Sequence, residues 1–133
     1  PEATAYGEAE VALQALLAET VATADAAMLR LDFAGGIGAV KAFVDAVNLY
    51  VTEQAPWVLA KDEAQAGRLD VVLASLAEGV RSLTVLLSPW LPATADTLLA
   101  ALHAPDLSLE CGRFGAGALG EIEKIDPLFP KVP

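Results

Sequence analysis

The sequence contains one cysteine and one histidine, Cys111 and His103, among its 133 residues. A single cysteine excludes a disulfide within the chain, which fits a reducing cytosol. Cys111 and His103 lie eight positions apart with nothing to orient them, and no group of residues has metal-ligand spacing. We therefore predict no catalytic residue, no metal site and no cofactor held by this segment, with His103 structural or exposed.

Basic residues are also scarce. Eight Lys and Arg against 18 Asp and Glu give a formal net charge of −10. A protein that coats DNA or RNA carries a broad basic surface, so this composition argues against that class and against a DNA partner. Recognition of a single-stranded RNA loop needs only a local positive patch, because it relies on stacking and base-edge contacts. Arg68 and Arg81 are expected to be solvated or in ion pairs.

Long apolar runs are absent: none approaches the ~20 residues that cross a bilayer. The first residues, Pro1 to Thr4, lack the basic start of a signal peptide. Hydrophobic residues make up 55% of the chain but aromatic residues only 6%, and the abundance of Ala and Leu favours packed helices over strands. We predict an all-α domain, without a membrane partner, located in the cytoplasm.

Apolar residues recur at helical spacing in four segments. The pattern predicts helices at about 7–31, 32–55, 69–88 and 93–102, with Asp32 as the N-cap of the second. Glu10 falls outside the first apolar seam, and the carboxylates are expected to be mostly solvated. The seam residues of the first three helices are Leu13, Leu17, Val21, Ala24, Met28 and Leu31; Ile37, Val40, Val44, Val47 and Val51; and Leu69, Leu73, Leu76, Val80, Leu83 and Leu87.

Three glycines, Gly35, Gly36 and Gly38, interrupt the start of the second predicted helix. Each costs about 1 kcal/mol relative to alanine in a helix. No strand precedes them and no Lys-Ser or Lys-Thr pair follows, which argues against a phosphate-binding loop. Two explanations stay open: close approach of another helix, or a frayed helix start.

The helical period ends at Pro105, and a loop-rich stretch follows, marked by Gly112, Gly115, Gly117 and Gly120. This change divides the chain into a helical bundle at 1–104 and an irregular C-terminal tail at 105–133. Four apolar residues of the tail need cover from some neighbouring surface: Ile122, Ile125, Leu128 and Phe129.

Both tryptophans lie where helices end. Trp90 stands between Pro89 and Pro92 and is expected to plug a corner of the core. Trp57 follows Pro56, which ends a helix because it lacks an N–H and clashes with the preceding turn. From the residues alone, Trp57 either fills a gap between helices or lies partly exposed. An exposed indole can stack on a nucleobase, which contributes about 1–3 kcal/mol per base.

Three segments, in order, resemble the anticodon-binding domain of methionyl-tRNA synthetase, a class Ia aminoacyl-tRNA synthetase. Sister synthetases for Ile, Val, Leu and Cys share the helical bundle, and the order of the three segments is what makes the match specific. The segments are Asn48-x-Tyr50-x-x-x-x-Ala55-Pro56-Trp57-x-Leu59-Ala60-Lys61, Leu86-Leu87-Ser88-Pro89-Trp90-Leu91-Pro92 and Pro127-Leu128-Phe129-Pro130-Lys131-Val132.

This resemblance implies an antiparallel helical bundle that holds the CAU anticodon loop of a tRNA. Trp57 matches the family's tryptophan that stacks on and reads the first anticodon base, and Pro56 matches the proline that sets its angle. Asn48 and Lys61 belong to the same motif and become candidates for a polar contact and a phosphate contact. The implied partners are tRNA and the catalytic domain of the same synthetase, toward which the tail would fold.

The intact enzyme of that family joins methionine to its tRNA using ATP with Mg²⁺. Its nucleotide-binding signatures, His-Ile-Gly-His and Lys-Met-Ser-Lys-Ser, do not occur in this sequence, so we expect this segment alone to be inactive. The first helix of the family's domain, with an Asn and an Arg that contact the anticodon, is expected to precede Pro1. Two alternatives remain: a non-catalytic helical module that binds protein or tRNA, and the equivalent domain of a sister class Ia synthetase.

Overall fold

A computed structural model describes residues 6–104, 108–115 and 121–131. Within these ranges the chain is helical and has no strand, which confirms the all-α prediction. α1 packs on α2, α2 on α4 and α4 on α5. The helices are α1 (Glu8–Leu29), α2 (Phe33–Gln54), the short α3 (Pro56–Leu59), α4 (Ala66–Leu87) and α5 (Pro92–Ala101), with 3-10 turns at Glu63–Gln65 and Leu109–Gly112.

The core lies where α1, α2 and α4 meet. Burying one such aliphatic or aromatic side chain stabilises the fold by roughly 1.5–3 kcal/mol. Leu59 and Trp90 pack against this cluster from the helix ends, so Trp90 takes the position expected of it. The buried members are Leu13, Leu17, Ala24, Val40, Phe43, Val47, Tyr50, Val72, Leu83 and Leu86.

The turn between α1 and α2 confirms one expectation and corrects another. Asp32 caps α2, because its Oδ1 accepts a hydrogen bond of 2.9 Å from the backbone N–H of Gly35. Leu31 was predicted to extend the α1 seam, but α1 ends at Leu29 and Leu31 is 74% exposed. Leu31 has φ +59°, the left-handed conformation that commonly ends a helix, and this conformation turns its side chain out of the seam.

The three glycines at the start of α2 have different surroundings. Gly36 is buried, and a Cβ placed there would lie 3.4 Å from both Met28 Sδ and the Trp90 ring. A Cβ at this position would reach van der Waals contact with both neighbours, so they approach α2 closely here. A Cβ on Gly35 would meet the capping carboxylate of Asp32, whereas a Cβ on Gly38 would meet nothing within 4 Å.

The buried face of α2 differs from the predicted seam. Phe43 and Tyr50, expected beside the seam, are in the core together with Val40 and Val47. The remaining seam residues, Ile37, Val44 and Val51, are only half-buried. The buried stripe is therefore centred on the two aromatic rings, which fill more of the space between helices than the valines do.

Two of the six seam residues predicted for α4 are exposed and not in the core. Leu73 is 49% exposed and Val80 is 38% exposed. The face that α4 buries instead includes Ser75 and Ser82 and two charged residues, Glu78 and Arg81. Apolar spacing missed this face, because an ion pair of matched charges can occupy a buried position that periodicity assigns to solvent.

Arg81 and Glu78 hold residues 108–115 against α4. The Arg81 guanidinium donates to Glu78 Oε2 at 2.9 Å and to the carbonyl of Arg113 at 2.7 Å, and it also bonds the carbonyl of Cys111. Glu78 Oε2 accepts the Gly115 N–H at 2.7 Å. Arg81 is therefore paired, one of the two states expected for it.

The rest of the tail is less covered. Ile122 and Phe129 are exposed, and Ile125 and Leu128 are half-buried. His103 is exposed, as expected, with Nε2 lying 3.2 Å from Glu123 Oε1. The predicted positions Gly117, Gly120 and Val132 lie outside the described residues, and the division of the chain near position 104 stays a prediction.

Two stretches, Glu8–Leu29 and Phe33–Leu59, are long and apolar enough to cross a bilayer by length and composition. Core helices of soluble proteins pass the same test, so two such stretches are weak evidence. In this fold they pack on each other, and the first of them buries the carboxylate of Glu10 completely. The absence of a membrane partner stays a prediction.

Candidate nucleic-acid interface

The chain reverses direction sharply between α2 and α4, and the short helix α3 occupies that connection. Ala55 ends α2 with φ 43° and ψ 61°, and its N–H donates to the carbonyl of Val51 at 3.0 Å. Pro56 then takes the first position of α3, where a missing N–H costs nothing. The Ala55 carbonyl accepts the N–H groups of Val58 at 2.8 Å and Leu59 at 3.3 Å. A left-handed residue followed by proline thus sets the direction of α3.

Trp57 points out of the bundle from this turn. Its side chain is 55% exposed, and its neighbour Val58 is 54% exposed. Leu59, two positions on, packs against the core instead, and α3 as a whole lies on α4. An indole that only filled a gap between helices would be covered on both faces, and this one is not.

The other three predicted site residues surround the turn along the chain. Pro56 is half-exposed, and Asn48 and Lys61 are both exposed. Asn48 lies on α2 six residues before its end, which corresponds to about 9 Å along the helix axis. Pro56, Trp57 and Lys61 all lie in the connection itself, whereas Asn48 lies on the adjoining helix.

The charge around the turn is mixed. Lys61 is the only basic residue between positions 55 and 67, and Asp62 and Glu63 follow it directly. Among the described residues Lys61 has no ion-pair partner. Asp62 is engaged locally, because its Oδ1 accepts the Ala64 N–H at 3.0 Å. The turn therefore offers one uncommitted ammonium group on an otherwise acidic segment.

A buried polar network lies at the base of the connection. At its centre is Glu10, which is completely buried and was expected in solvent. Arg68 donates to both carboxylate oxygens of Glu10, at 2.9 Å and 2.8 Å. Tyr50 Oη also donates to Glu10, and Arg68 donates to Gln54 Oε1. The network corrects the sequence expectation for Glu10, because a bidentate arginine compensates the loss of water around the carboxylate.

The protonation states in this network follow from these contacts. Burial would raise the pKa of Glu10, but hydrogen bonds from Arg68, Tyr50 and the Gly7 N–H outweigh it and lower that pKa to about 2. Burial and the hydrogen bond to Glu10 raise the pKa of Tyr50. The hydrogen bond to Glu10 raises the pKa of Arg68. At neutral pH the network therefore consists of a carboxylate, a guanidinium and a neutral phenol.

Sequence periodicity alone misses this network, although a signal for part of it exists. Glu10 lies at the third position of α1, and its Oε2 accepts the Gly7 N–H at 2.8 Å. Glutamate at this position commonly satisfies the free N–H groups at a helix start. Nothing in the sequence indicates the partner, since Arg68 is 58 positions away.

The described residues offer little for bond-making chemistry. They contain no group of three or more His, Cys, Asp or Glu side chains that could hold a metal ion. Cys111 Sγ accepts a hydrogen bond from Ser108 Oγ at 3.4 Å, and His103 pairs with Glu123. The geometry of the turn suits binding of a flat ring better than catalysis.

Comparison with known protein families gives one clear match. Residues 1–116 match the family model described as the anticodon binding domain of methionyl tRNA ligase. The matched range contains the connection between α2 and α4 and all four predicted site residues.

Relatives found by sequence comparison are methionine–tRNA ligases. The chain is 42% identical to a methionine–tRNA ligase of Streptomyces coelicolor over an alignment that covers 99% of the chain and 27% of the relative. It is 33% identical to a methionine–tRNA ligase of Bacillus subtilis, covering 96% of the chain and 20% of the relative. The chain thus spans about a fifth to a quarter of the length of these relatives.

A solved structure shares the fold. The apo form of Mycobacterium tuberculosis methionyl-tRNA synthetase superposes with a TM-score of 0.87, covering 100% of this chain and 28% of the other. The sequence identity is 23%, so this likeness supports the architecture of the helices and not the role of any residue.

Proposed function

Because the chain belongs to the family of anticodon-binding domains of methionyl-tRNA ligases, we propose that it holds the CAU anticodon loop for an enzyme that joins methionine to its tRNA. The observation that carries this proposal is the exposed indole of Trp57 on the turn between α2 and α4. The names of the relatives favour methionine over the amino acids of the sister synthetases.

Trp57 is proposed to stack on the first anticodon base. Bases of a single-stranded loop can be splayed outward, where their flat faces are available to aromatic side chains. An indole that is already exposed in the free protein needs no unfolding of the bundle before it meets such a base. Stacking of this kind contributes about 1–3 kcal/mol per base.

Pro56 and Ala55 are proposed to set the angle of the indole. Proline fixes its own φ near −65°, and the left-handed conformation of Ala55 fixes the direction in which α3 leaves α2. Because α3 rests on α4, the ring is presented by a supported turn. Little conformational entropy then remains to be lost when a base binds.

Asn48 and Lys61 are proposed as the polar part of the site. Asn48 is exposed on α2, and its amide can both donate to and accept from a base edge. Lys61 has an ammonium group without an ion-pair partner among the described residues, which suits an RNA phosphate. The net charge of −10 means that most phosphate contacts would come from the rest of the enzyme.

The remaining parts of the function are assigned to that larger enzyme. Its catalytic domain is proposed to bind ATP with Mg²⁺ and methionine, while this bundle positions the tRNA so that its acceptor end reaches the active site. The exposed tail residues Ile122 and Phe129 fit the proposal that the tail folds toward the catalytic domain. We place the enzyme in the cytoplasm, with tRNA as its nucleic-acid partner and neither DNA nor a membrane bound.

Fluorescence quenching tests whether Trp57 meets RNA. The experiment uses an intact ligase carrying Trp90→Phe. The fluorescence of its other tryptophans is measured in a variant that also carries Trp57→Phe and is subtracted. Acrylamide should then quench Trp57 readily in the free protein. A methionine tRNA should protect the indole, and a tRNA with an unrelated anticodon should protect it much less. Equal quenching with and without the methionine tRNA at saturation would contradict the proposal.

A further inference from the structure

The connection that carries Trp57 is closed at its base by a side-chain contact. Gln54 is the last residue of α2, directly before Ala55. Arg68 lies in the first turn of α4. The Arg68 guanidinium donates to Gln54 Oε1, so the end of α2 and the first turn of α4 are tied to each other across 14 positions.

Arg68 is itself fixed from the other side. Both of its terminal nitrogens donate to Glu10 of α1, at 2.9 Å and 2.8 Å. Glu10 is in turn bonded by Tyr50, one turn before the end of α2. The guanidinium therefore has a single position, because its planar fork matches the carboxylate with two parallel bonds. What reaches Gln54 is an anchored donor and not a mobile side chain.

Besides this contact, the turn is held by the packing of α3 on α4 and of Leu59 on the core. α3 has only four residues and no side-chain cap. Ala55 adopts a left-handed conformation, which is unfavourable for an alanine, so it persists only while its surroundings enforce it. Gln54 and Arg68 bracket this residue and the turn that follows it.

We propose that Gln54 and Arg68 are positioning residues for Trp57. Their contact keeps the end of α2 at a fixed distance from the start of α4, which keeps Ala55 left-handed and the indole turned outward. The effect on RNA rests on the proposed function of Trp57, whereas the effect on the turn does not. Neither residue needs to touch RNA.

Gln54→Ala tests the proposal in the intact ligase. Gln14→Ala is the matched control, since Gln14 is another half-buried glutamine, located in α1 outside the network. Hydrogen exchange of the α3 N–H groups of Val58 and Leu59, which both bond to the Ala55 carbonyl, should become about tenfold faster in Gln54→Ala. Exchange within α4 should not change. Gln54→Glu keeps an acceptor for Arg68 and should restore the slow exchange.

The RNA readout separates this proposal from the proposed function. Gln54→Ala should weaken tRNA binding about fivefold when Trp57 is present and not at all in a Trp57→Ala background. Unchanged exchange in α3 overturns the positioning role. Faster exchange in Gln54→Ala without weaker tRNA binding also overturns the positioning role. The proposed function of Trp57 then still stands, provided that Trp57→Ala weakens tRNA binding. No effect of Trp57→Ala on tRNA overturns both proposals.

Discussion

Replacing Trp57 with alanine in the intact ligase is expected to lower kcat/KM for tRNA charging about 5- to 150-fold. This range corresponds to the roughly 1–3 kcal/mol that one stacked base contributes. Adenylate formation from methionine and ATP, measured by a pyrophosphate-exchange assay, should be unchanged. The indole lies on the anticodon-binding bundle and not at the site of chemistry. The two assays on one preparation provide the measurement.

A neighbouring substitution controls for general damage to the turn. Val58 is exposed to almost the same extent as Trp57 and belongs to the same short helix. Val58→Ala should change both assays by less than about twofold, since it removes no stacking surface. Equal losses in charging and adenylate formation for Trp57→Ala would show that the variant harms the enzyme as a whole, against the role assigned to the indole.

Replacing Glu10 with glutamine is expected to destabilise the bundle by about 3 kcal/mol at pH 7. The side chain is completely buried and its partner Arg68 is only 31% exposed, so the variant leaves a guanidinium without its carboxylate. Urea unfolding of the chain, followed by circular dichroism, measures the difference. Glu8→Gln, at an exposed position in the same helical turn, should cost less than about 1 kcal/mol.

The pH dependence of that difference follows from the direction of the pKa shift. Glu10 has a pKa of about 2 in the folded chain and 4.5 as its ordinary value. A carboxyl group with a lowered folded-state pKa stabilises the fold fully above its unfolded pKa, and this contribution is lost as pH falls toward the folded value. The gap between the original chain and Glu10→Gln should therefore be constant above about pH 5.5 and shrink between pH 4.5 and 2. A gap that stays constant down to pH 2 would contradict the ionic network.

Helices were predictable from this sequence because their signals are local. The caps and breakers at Asp32, Pro56 and Pro89 lie within a few residues of the boundaries they set. The error at Leu31 has a similar local origin, since a left-handed residue after a helix turns its side chain away from the seam. Apolar spacing could not reveal that the residue had already left the helix.

Buried charge was not predictable in the same way. Glu10 and Arg81 appear polar in any periodic analysis, yet both are buried, one bonded by Arg68 and the other paired with Glu78. The Glu10–Arg68 pair joins helices that meet only in the folded chain. Arg81 and Glu78 are only three positions apart, but the segment that covers them returns from 30 positions away. Leu73 and Val80 are exposed for the same reason: the face of α4 that carries Glu78 and Arg81 lies in the interior, so the opposite face is left in solvent.

The candidate site depended on a different kind of information. Proline before tryptophan at a helix end indicates a turn with an aromatic ring, and physics alone left its exposure open. The structure places the ring outside, and the family match covers the turn. The Gln54–Arg68 contact had no sequence signal, because neither residue is unusual in an amphipathic helix.

The central claim is that the indole of Trp57 lies against the first anticodon base. A double-mutant cycle between protein and RNA tests it most directly. Two tRNAs, one with the original first anticodon base and one with that base changed, are each charged by the original ligase and by the Trp57→Ala variant. We predict that the base change costs the original ligase at least about tenfold more than it costs the variant. Equal costs for both enzymes would show that Trp57 and the base act independently and would contradict the account.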